Sequence, residues 1–487
     1  MSDEASRGAV RTRFAPSPTG YLHVGTARTA LFNYLFARRH GGSFVFRIED
    51  TDVERNVQGG AESLVVGLRW LGLSWDEGYL VGGPHAPYVQ TERLDRYRTA
   101  VNALVAQGDA YPCYCTQEEL AERSQARLAR GLPPGYDGHC RRLSAAELRA
   151  YQAEGRRPAV RFRLPDEGET VVEDLIRGSA RFDNATLTDF VILRANGIPT
   201  YLLAAVFDDV DMDVTHVIRG EDLFPSTPRQ LHVFRALGRE QPPRFAHLPL
   251  LVDQHGKKLS KRFGEVAIQS YQAAGYLPEA MVNYLALLGW GYDDHTEHFT
   301  LAELERAFTI ERVSRNPARF DVKKLEALNG WYIRGLAPAD LARRALPFVT
   351  AVIPQADPEL LTRAAPLYAE RVSRLEEVPG MVAFLFAGDR IELDPAAAAR
   401  LLTEEARALL DEAAKRLAAL DTWTAAAIEA TLRELQEQCG LGRKTAFQPI
   451  RLAITGKLVS PPLFESMELL GRDRSLARLE HARAYPG

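Results

Sequence analysis

The sequence predicts an α/β domain with a parallel sheet, interrupted by an insertion and followed by an all-helical half. Three observations support this prediction. A strand, a helix and a second strand follow one another between residues 10 and 48. The same alternation returns between residues 201 and 252. Beyond about residue 270 the apolar residues recur with helical spacing, which is typical of helix bundles.

The first strand, helix and strand form a βαβ unit. Residues 10–14 form a buried strand that ends at the turn Pro16–Gly20. The helix begins near His23 and ends at Gly41, and residues 43–48 form the second strand. A connection of this kind is right-handed and joins parallel strands.

The segments after this unit lose the regular alternation, which indicates an insertion from about residue 85 to 198. We expect its main elements to be helices at Glu92–Gln107, Glu118–Arg130 and Ala145–Ala153 and a strand at Val160–Leu164. The α/β pattern then resumes over Tyr201–Val217, followed by a helix at Pro228–Leu237 and a strand at Leu248–Val252.

The last part of the chain carries helix-start signals at regular intervals. Thr300 and Glu303 have the spacing of a capping box, and Asp394 followed by Pro395 suits the first positions of another helix. From Leu401 to Leu417 the apolar residues form one stripe. These patterns predict helix bundles.

Size and composition narrow the functional classes. A chain of 487 residues is too long for one hydrophobic core, so we expect about two to four domains. The net charge of -4 is not that of a globally basic chain, so a nucleic-acid partner would be held by local basic patches. The four cysteines are too few for a disulfide scaffold. With no apolar signal core or long apolar run, we expect a soluble, cytoplasmic protein that does not contact membranes.

Two motifs far apart in the chain point to a reaction on a nucleoside triphosphate. The glycines of residues 13–26 and the helix that starts near His23 would offer backbone N–H groups to an anion, and the imidazole would donate to a phosphate or ribose oxygen. Residues 257–262 place four positive charges within six residues. Such a loop suits the stabilisation of negative charge in a transition state.

Both motifs resemble signatures of a known family. Residues 13–26 resemble the first ATP-binding signature of class I aminoacyl-tRNA synthetases in its glutamyl-tRNA synthetase form, and Lys258–Arg262 resembles the second. The resemblance extends through residues 46–52, 82–93 and 217–222 and along the helical half. Coverage of nearly the whole chain makes the match highly specific.

The resemblance implies a Rossmann-type class I catalytic domain with an α/β insertion, followed by all-α stem-contact and anticodon-binding domains. The boundaries that we expect are residues 9–84 for the first catalytic half, 85–198 for the acceptor-binding insertion, 199–255 for the second catalytic half, 256–325 for the catalytic loop and stem-contact domain, and 326–487 for the anticodon-binding domain.

The implied activity is that of a glutamate–tRNA ligase that discriminates against tRNA(Gln). ATP and L-glutamate would form glutamyl-adenylate, and the terminal adenosine of tRNA(Glu) would accept the glutamyl group. Mg²⁺ would accompany ATP because it bridges phosphates. We expect the enzyme to be a monomer.

The resemblance also assigns site residues. Catalysis is assigned to His23, Lys258 and Lys261. ATP binding is assigned to Pro16, Thr19, Gly20, His23, Gly25, Thr26, Asp222, Leu251, Lys258, Ser260 and Lys261. Glutamate binding is assigned to Arg13, Ala15, Ser17, Glu49, Tyr201 and Arg219, with Arg13 on the side-chain carboxylate and Glu49 at the ammonium end. Contact with tRNA is assigned to Arg312, Arg319, Arg371, Arg443 and Lys444, with Arg371 reading the third anticodon base.

The chain departs from the family pattern on one wall of the implied glutamate pocket. Leu202, Ala205 and Leu223 stand where polar or larger side chains are frequent in the family. Their side chains therefore cannot make the family's usual contacts, although their backbone can still contribute.

Three cysteines have a spacing that some family members use for zinc. Cys113, Cys115 and Cys140 lack the histidine two positions further on, where Arg142 stands. Tyr136 or His139 could supply a fourth ligand, and a small lobe without metal is the alternative. The remaining Cys439 is expected to be buried.

Other functions fit the sequence less well. A glutaminyl enzyme would carry a different first motif and end in β-barrels, and a queuosine-modifying paralogue would lack the helical half. A catalytically silent tRNA-binding protein would not need His23 and Lys261. A small-molecule nucleotidyltransferase would share the fold without about two hundred helical residues after the catalytic loop.

Overall fold

The computed structural model describes residues 9–131, 134–259 and 267–485. The chain divides into two compact units. The first, the α/β unit, comprises the residues up to 270 together with 282–321, and the second, the helical unit, comprises 271–281 and the residues from 322 onward. The finer boundaries expected from the sequence stay predictions.

The described strands belong mainly to the α/β unit. They are β1 Arg11–Phe14, β2 Ser43–Phe46, β3 Glu77–Gly78, β4 Ala110–Cys113, β5 Ala159–Phe162, β6 Glu169–Asp174, β7 Gly178–Asp183, β8 Phe190–Leu193, β9 His216–Gly220, β10 Arg244–Leu248, β11 Leu251–Val252 and β12 Ala318–Arg319.

The described helices follow the predicted distribution. They are α1 Val24–Arg39, α2 Gly60–Trp70, α3 Leu94–Gln107, α4 Gln117–Ala129, α5 Ala145–Ala153, α6 Tyr201–Asp211, α7 Thr227–Ala236, α8 Ile268–Ala273, α9 Pro278–Leu287, α10 Leu301–Ala307, α11 Val322–Gly335, α12 Pro338–Val352, α13 Pro358–Ala369, α14 Val378–Phe386, α15 Pro395–Leu401, α16 Glu404–Ala418, α17 Ala425–Gln438, α18 Arg443–Thr455, α19 Leu463–Leu470 and α20 Arg472–Arg483.

Parallel pairing dominates where the site forms. Strand β2 lies between β1 and β3, and both pairs are parallel. Strand β10 lies between β9 and β6, again in parallel pairs, and β7 adds an antiparallel edge to β6. The amide of Thr215 donates to the carbonyl of Arg11 at 2.9 Å, which links the start of β9 to β1.

Part of the predicted insertion therefore belongs to the same sheet as the second catalytic half. Strands β6 and β7 lie within residues 85–198, yet β6 pairs with β10 at Phe245 and Asp174. The other inserted strands form a separate antiparallel sheet in the order β4, β5, β8. Sequence alternation could not reveal this division because pairing between distant strands leaves no local pattern.

The predicted βαβ unit is confirmed. Helix α1 begins after His23, whose Nδ1 accepts from the backbone N–H of Gly25 at 3.1 Å. Its apolar face, including Leu31, Phe32 and Leu35, is fully buried. Strand β1 runs parallel to β2 in the register Arg11 to Ser43.

Two predicted elements differ from the structure. The strand expected at Leu248–Val252 is divided, since β10 ends at Leu248 and β11 begins at Leu251. Pro249 lies in the gap, and proline lacks the N–H that a continuous ladder needs. The apolar stripe from Leu401 is also divided, because Thr403 caps a new helix by accepting from the amide of Ala406.

The helical unit has one large apolar core. Leu341, Leu361, Leu410, Leu432 and Leu452 come from five different helices and are buried in it. Pro395 follows the N-cap residue Asp394 as predicted. Across the described part of the chain, no helix combines the length and apolar character needed to cross a bilayer.

Candidate active site

A cavity of about 620 Å³ opens in the α/β unit at the carboxyl ends of its parallel strands. Phe14 at the end of β1, Gly220 at the end of β9 and Leu248 at the end of β10 line it. Ligands of open parallel sheets bind at this edge because the loops there converge. The position of this cavity at the carboxyl ends of the parallel strands therefore makes it the candidate active site.

The cavity carries an excess of positive charge. Among the described lining residues, six are basic, namely Arg13, Arg28, Arg55, Arg194, Arg219 and Lys258. Three are acidic, namely Glu49, Asp52 and Asp222. A concave cationic site of this kind attracts anionic ligands.

One side of the cavity is formed by the start of α1. His23, Gly25 and Thr26 line it. Because Nδ1 of His23 accepts a backbone N–H, neutral imidazole carries its proton on Nε2. The unpaired N–H groups of a helix start, with the positive end of its dipole, suit a phosphate.

Most residues predicted to bind ATP meet around this side. Pro16, His23, Gly25, Thr26, Asp222, Leu251 and Lys258 line the cavity. Thr19 and Gly20 are not among the lining residues, because they form the turn before α1, where the amide of Thr19 donates to the Ser17 carbonyl. Ser260 and Lys261 lie outside the described residues.

The residues predicted to bind glutamate meet in the same cavity. Arg13, Ala15, Ser17, Glu49, Tyr201 and Arg219 all line the cavity. Arg13 is only 5% exposed, and its Nε lies 3.2 Å from Oδ1 of Asp209. Among the described residues, the side-chain hydrogen bonds of Arg13 involve only its Nε, so the N–H donors of its Nη groups suit a ligand carboxylate.

A buried ionic network lies behind Arg13. Arg47 is fully buried and lies 3.0 Å from Asp209, 2.8 Å from Glu49 and 3.5 Å from Asp208. Burial alone would lower the pKa of Arg47, but the carboxylates of Asp209, Asp208 and Glu49 raise it above its usual value. Burial raises the pKa of Glu49, and the arginines Arg47 and Arg13 oppose that shift.

A second hydrogen-bond network, with fewer charged groups, holds Tyr201 and Arg219 in place in the cavity lining. Arg219 donates from Nη1 to the Tyr201 hydroxyl at 2.9 Å and from Nε to Nε2 of His247 at 3.0 Å. His247 in turn lies 2.6 Å from Asp174 through Nδ1. Arg219 also donates to the carbonyl of Leu223 at 3.4 Å, so the backbone contributes where that side chain departs from the family pattern.

The other two departures lie on α6. Leu202 packs at the edge of the apolar core, and Ala205 is buried. One turn beyond Ala205, Asp209 supplies a carboxylate on the same helix face. On this helix the polar contact to the site is therefore made by Asp209, four residues after Ala205.

Sequence reasoning missed the residues that hold the predicted ones in place. Asp208, Asp209 and His247 are buried but carry polar or charged side chains. The available signal was the Asp-Asp pair within the apolar helix pattern that begins at Tyr201. Buried carboxylates in such a pattern need cationic partners.

The cysteine cluster forms separately from the cavity. The Sγ atoms of Cys113, Cys115 and Cys140 all lie within 4.8 Å of one another. The hydroxyl of Tyr136 lies 3.7 Å from Sγ of Cys113. His139 instead contacts the hydroxyl of Tyr151 at 3.3 Å. Of the two fourth ligands left open by the sequence, the geometry favours Tyr136.

The surroundings of Cys113 favour its thiolate, whereas hydrogen bonds with Cys113 and Cys140, together with burial, raise the pKa of Cys115. Hydrogen bonds from Cys115 and Cys140, together with the nearby Arg161, lower the pKa of Cys113. Nε of Arg161 lies 3.2 Å from this sulfur. The prediction that Cys439 is buried was wrong, since this residue lies exposed at the end of α17.

The basic residues predicted to contact tRNA lie on exposed surface. Arg312 and Arg319 belong to the α/β unit, and Arg371, Arg443 and Lys444 belong to the helical unit. Arg443 and Lys444 open α18, and Arg371 follows α13. Their exposure is compatible with contact to a large ligand.

Comparison with known proteins gives concordant matches along the chain. Residues 9–327 match the family of class I tRNA synthetases (E and Q), catalytic domain, and residues 340–483 match an anticodon binding domain. A glutamate–tRNA ligase of Nocardioides sp. is 48% identical over 97% of this chain and 98% of the relative. One of Moorella thermoacetica is 45% identical over 98% of both chains.

A solved structure is similar over the same length. The crystal structure of a glutamate tRNA ligase from Elizabethkingia meningosepticum in complex with its amino acid has a TM-score of 0.89 and 32% identity. The match covers 98% of this chain and 99% of that one.

The buried network yields a stability prediction. Replacing Arg47 by Met leaves three buried carboxylates without their shared cation, so we expect the free energy of unfolding to fall by about 3–5 kcal/mol. The control is Arg181→Met, which removes an exposed pair with Glu169 and should cost about 1 kcal/mol or less. Calorimetric unfolding of both variants measures the difference, and equal losses would contradict this account.

Proposed function

The chain belongs to the class I tRNA synthetases of the glutamate and glutamine type, and we propose that it is a glutamate–tRNA ligase. The observation that supports this proposal is a single cationic cavity lined by Arg13, Arg219 and the start of α1. An acidic amino acid and a nucleoside triphosphate both need such positive charge, and the cavity brings the two regions together.

The start of α1 receives ATP in this proposal. His23 and the first turn of α1 bind its phosphates, and Leu251 borders the adenosine. Lys258 lies 3.8 Å from Asp222 at the rim of the cavity. Ser260 and Lys261, which lie outside the described residues, are assigned to the same phosphates, and Mg²⁺ would accompany ATP as part of the substrate.

L-glutamate binds to a second group of residues that line the same cavity. Arg13 donates to the side-chain carboxylate in a two-pronged contact. Glu49 accepts from the ammonium group, and Ala15 and Ser17 limit the size of the ligand. Tyr201 and Arg219 form the far wall.

Adenylate formation follows from this placement. A carboxylate oxygen of glutamate attacks the α-phosphorus, the bond to the β-phosphate bridging oxygen breaks, and pyrophosphate leaves. Lys258 and Lys261 stabilise the negative charge that spreads over the phosphates. Because this charge is largest in the transition state, the two lysines stabilise the transition state more than the ground state and so lower the activation barrier. A terminal ribose hydroxyl of tRNA then attacks the activated carbonyl, and AMP leaves.

Charge and length select the amino acid. Glutamine would place an uncharged amide against the Nη groups of Arg13, so these buried donors would lack the anionic partner that glutamate supplies. Aspartate is one methylene shorter, a difference worth about 1–3 kcal/mol in a fitted pocket. Glutamate meets both requirements.

The nucleic-acid partner is tRNA(Glu). Arg312, Arg319, Arg443 and Lys444 supply exposed positive charge to its phosphates, so binding should weaken with salt. Arg371 reads the third anticodon base, because arginine can donate two hydrogen bonds to a base edge. This contact is the proposed basis of discrimination against tRNA(Gln).

The cysteine cluster is proposed to hold a structural zinc ion. Its three sulfur atoms and the Tyr136 hydroxyl make a compact set of four donors, the number that tetrahedral zinc prefers. Nε of Arg161 lies next to Cys113, where it offsets part of the negative charge of the thiolates. The ion would hold the short 3-10 helix His139–Arg142, which carries Cys140, to β4.

The direct test of function is charging of purified tRNA with labelled glutamate. We expect ATP-dependent glutamylation of tRNA(Glu) and at least about 100-fold slower glutamylation of tRNA(Gln), the discrimination that loss of base-specific contacts can give. Failure to charge tRNA(Glu) would refute the proposal. Equal charging of both would refute only the anticodon assignment.

Elemental analysis tests the zinc site. We expect about one zinc ion per chain in the purified protein, and Cys115→Ser should reduce this content and lower the thermal stability of the insertion. Cys439→Ser is the matched control, because that thiol is exposed and lies outside the cluster. Equal zinc content in both variants would exclude the cluster as the binding site.

A further inference from the structure

We infer that His247 and Asp174 are positioning residues that hold Arg219 and Tyr201 in place to receive glutamate. This inference rests on the proposed function, since it concerns how the same cavity grips its amino acid. Neither residue lines the cavity; both act through Arg219. The four side chains form one continuous chain of hydrogen bonds, which we call the relay.

Strand order places the relay. Strands β6, β10 and β9 are neighbours in one sheet, in that order. The parallel register sets His247 of β10 directly beside Arg219 of β9. Asp174 ends β6, which pairs with β10 two residues before His247. Three adjacent strands thus align a carboxylate, an imidazole and a guanidinium near the edge where the cavity opens.

The hydrogen bonds determine one tautomer of His247. Nε of Arg219 can only donate, so Nε2 of His247 must accept at 3.0 Å. Nδ1 then carries the proton and donates to Asp174 at 2.6 Å. Burial, the largest influence, lowers the pKa of His247, with Arg219 and Arg177 acting in the same direction and Asp174 opposing them. The ring is therefore held as a neutral acceptor aimed at Arg219.

Packing prevents the ring of His247 from turning away. Phe245 stacks parallel to it with ring centroids 6.0 Å apart, and Phe224 meets it edge-on at 5.0 Å. The imidazole itself is fully buried. An acceptor fixed in this way fixes the direction of the Arg219 guanidinium as well.

The partners of Arg219 orient it without neutralising it. Its N–H groups donate to His247, Tyr201, Thr227 and the Leu223 carbonyl, all of them neutral acceptors. Among the described residues, Arg219 forms no ion pair with a carboxylate, although it is only 5% exposed.

Arg47 provides the contrast within the same unit. It is equally buried but is surrounded by the carboxylates of Asp208, Asp209 and Glu49. A buried cation without an anionic partner is costly. The relay holds Arg219 in that unpaired state at the wall of the cavity, where an anionic substrate supplies the missing charge.

Two substitutions of one residue separate the two halves of the relay. In His247→Gln the amide oxygen replaces Nε2, so Arg219 keeps an acceptor. In His247→Asn the shorter amide replaces Nδ1, so Asp174 keeps a donor but Arg219 loses its acceptor. A third variant, Asp174→Asn, presents an N–H to Nδ1 and forces the opposite tautomer, in which Nε2 carries a proton and faces Arg219 donor to donor.

The readout is the KM for glutamate compared with the KM for ATP, measured in tRNA charging by the full chain. We expect His247→Asn and Asp174→Asn to raise the KM for glutamate or lower kcat/KM by about 10- to 100-fold, as misplaced binding groups do. His247→Gln should stay within about threefold of the parent, and the KM for ATP should change little in all three. His232→Gln, a half-buried histidine on α7 that contacts Thr170, is the matched control.

The possible outcomes distinguish failure of the relay from failure of the proposed function. Equal losses in His247→Gln and His247→Asn, or parallel changes in the KM values for glutamate and ATP, would overturn the relay and leave a purely structural histidine. If His247→Asn does not fold, Asp174→Asn decides alone, and parent-like kinetics there would also overturn it. A parent chain that does not charge tRNA(Glu) would instead refute the proposed function.

Discussion

The site depends on the buried contact between Arg47 and the carboxylates of Asp209 and Glu49. Arg47 follows β2, and Asp209 lies on α6, so this cation joins two segments that are 162 residues apart in the chain. Asp209 also holds Nε of Arg13, which fixes the guanidinium that lines the cavity. Without Arg47, the acids around Arg13 would repel one another, and burial would favour their protonated forms.

The cavity uses two kinds of buried arginine. The carboxylates of Glu49 and Asp209 neutralise the charge of Arg47, and this contact stabilises the fold around the cavity. Arg219 is oriented by neutral groups and keeps its charge for a ligand. Arg13 lies between these cases, since the carboxylate of Asp209 contacts its Nε while its Nη groups make no hydrogen bond to the described residues. Electrostatic balance therefore distinguishes the residue that holds the site together from the residues that we propose to bind substrate.

The sequence predicts well what depends on neighbouring residues. The capping box predicted at Thr300 forms, and the same motif also forms capping boxes at Thr116 and Ser144, because each needs only a glutamate three residues later. The βαβ unit forms because its strands, helix and turn carry local signals. Motif resemblance identified Arg13 and Arg219, which the fold brings into one cavity.

The residues that the sequence did not reveal depend on strand order. His247 can contact both Asp174 and Arg219 only because β10 lies between β6 and β9. The carboxylate of Asp209 contributes to the site only because α6 comes close enough for it to reach Arg13 of β1 and Arg47, which follows β2. No local pattern encodes these pairings, so buried polar residues in apolar segments were the available hint.

The central claim is that buried arginine charge selects an acid at this site. Its most direct test is the affinity of the protein for a stable sulfamoyl analogue of glutamyl-adenylate compared with its glutaminyl counterpart, by calorimetry. This account predicts a preference of about 100-fold or more for the glutamyl analogue, and its loss in Arg13→Met. Equal affinities in the parent protein, or a preference that survives in Arg13→Met, would contradict it.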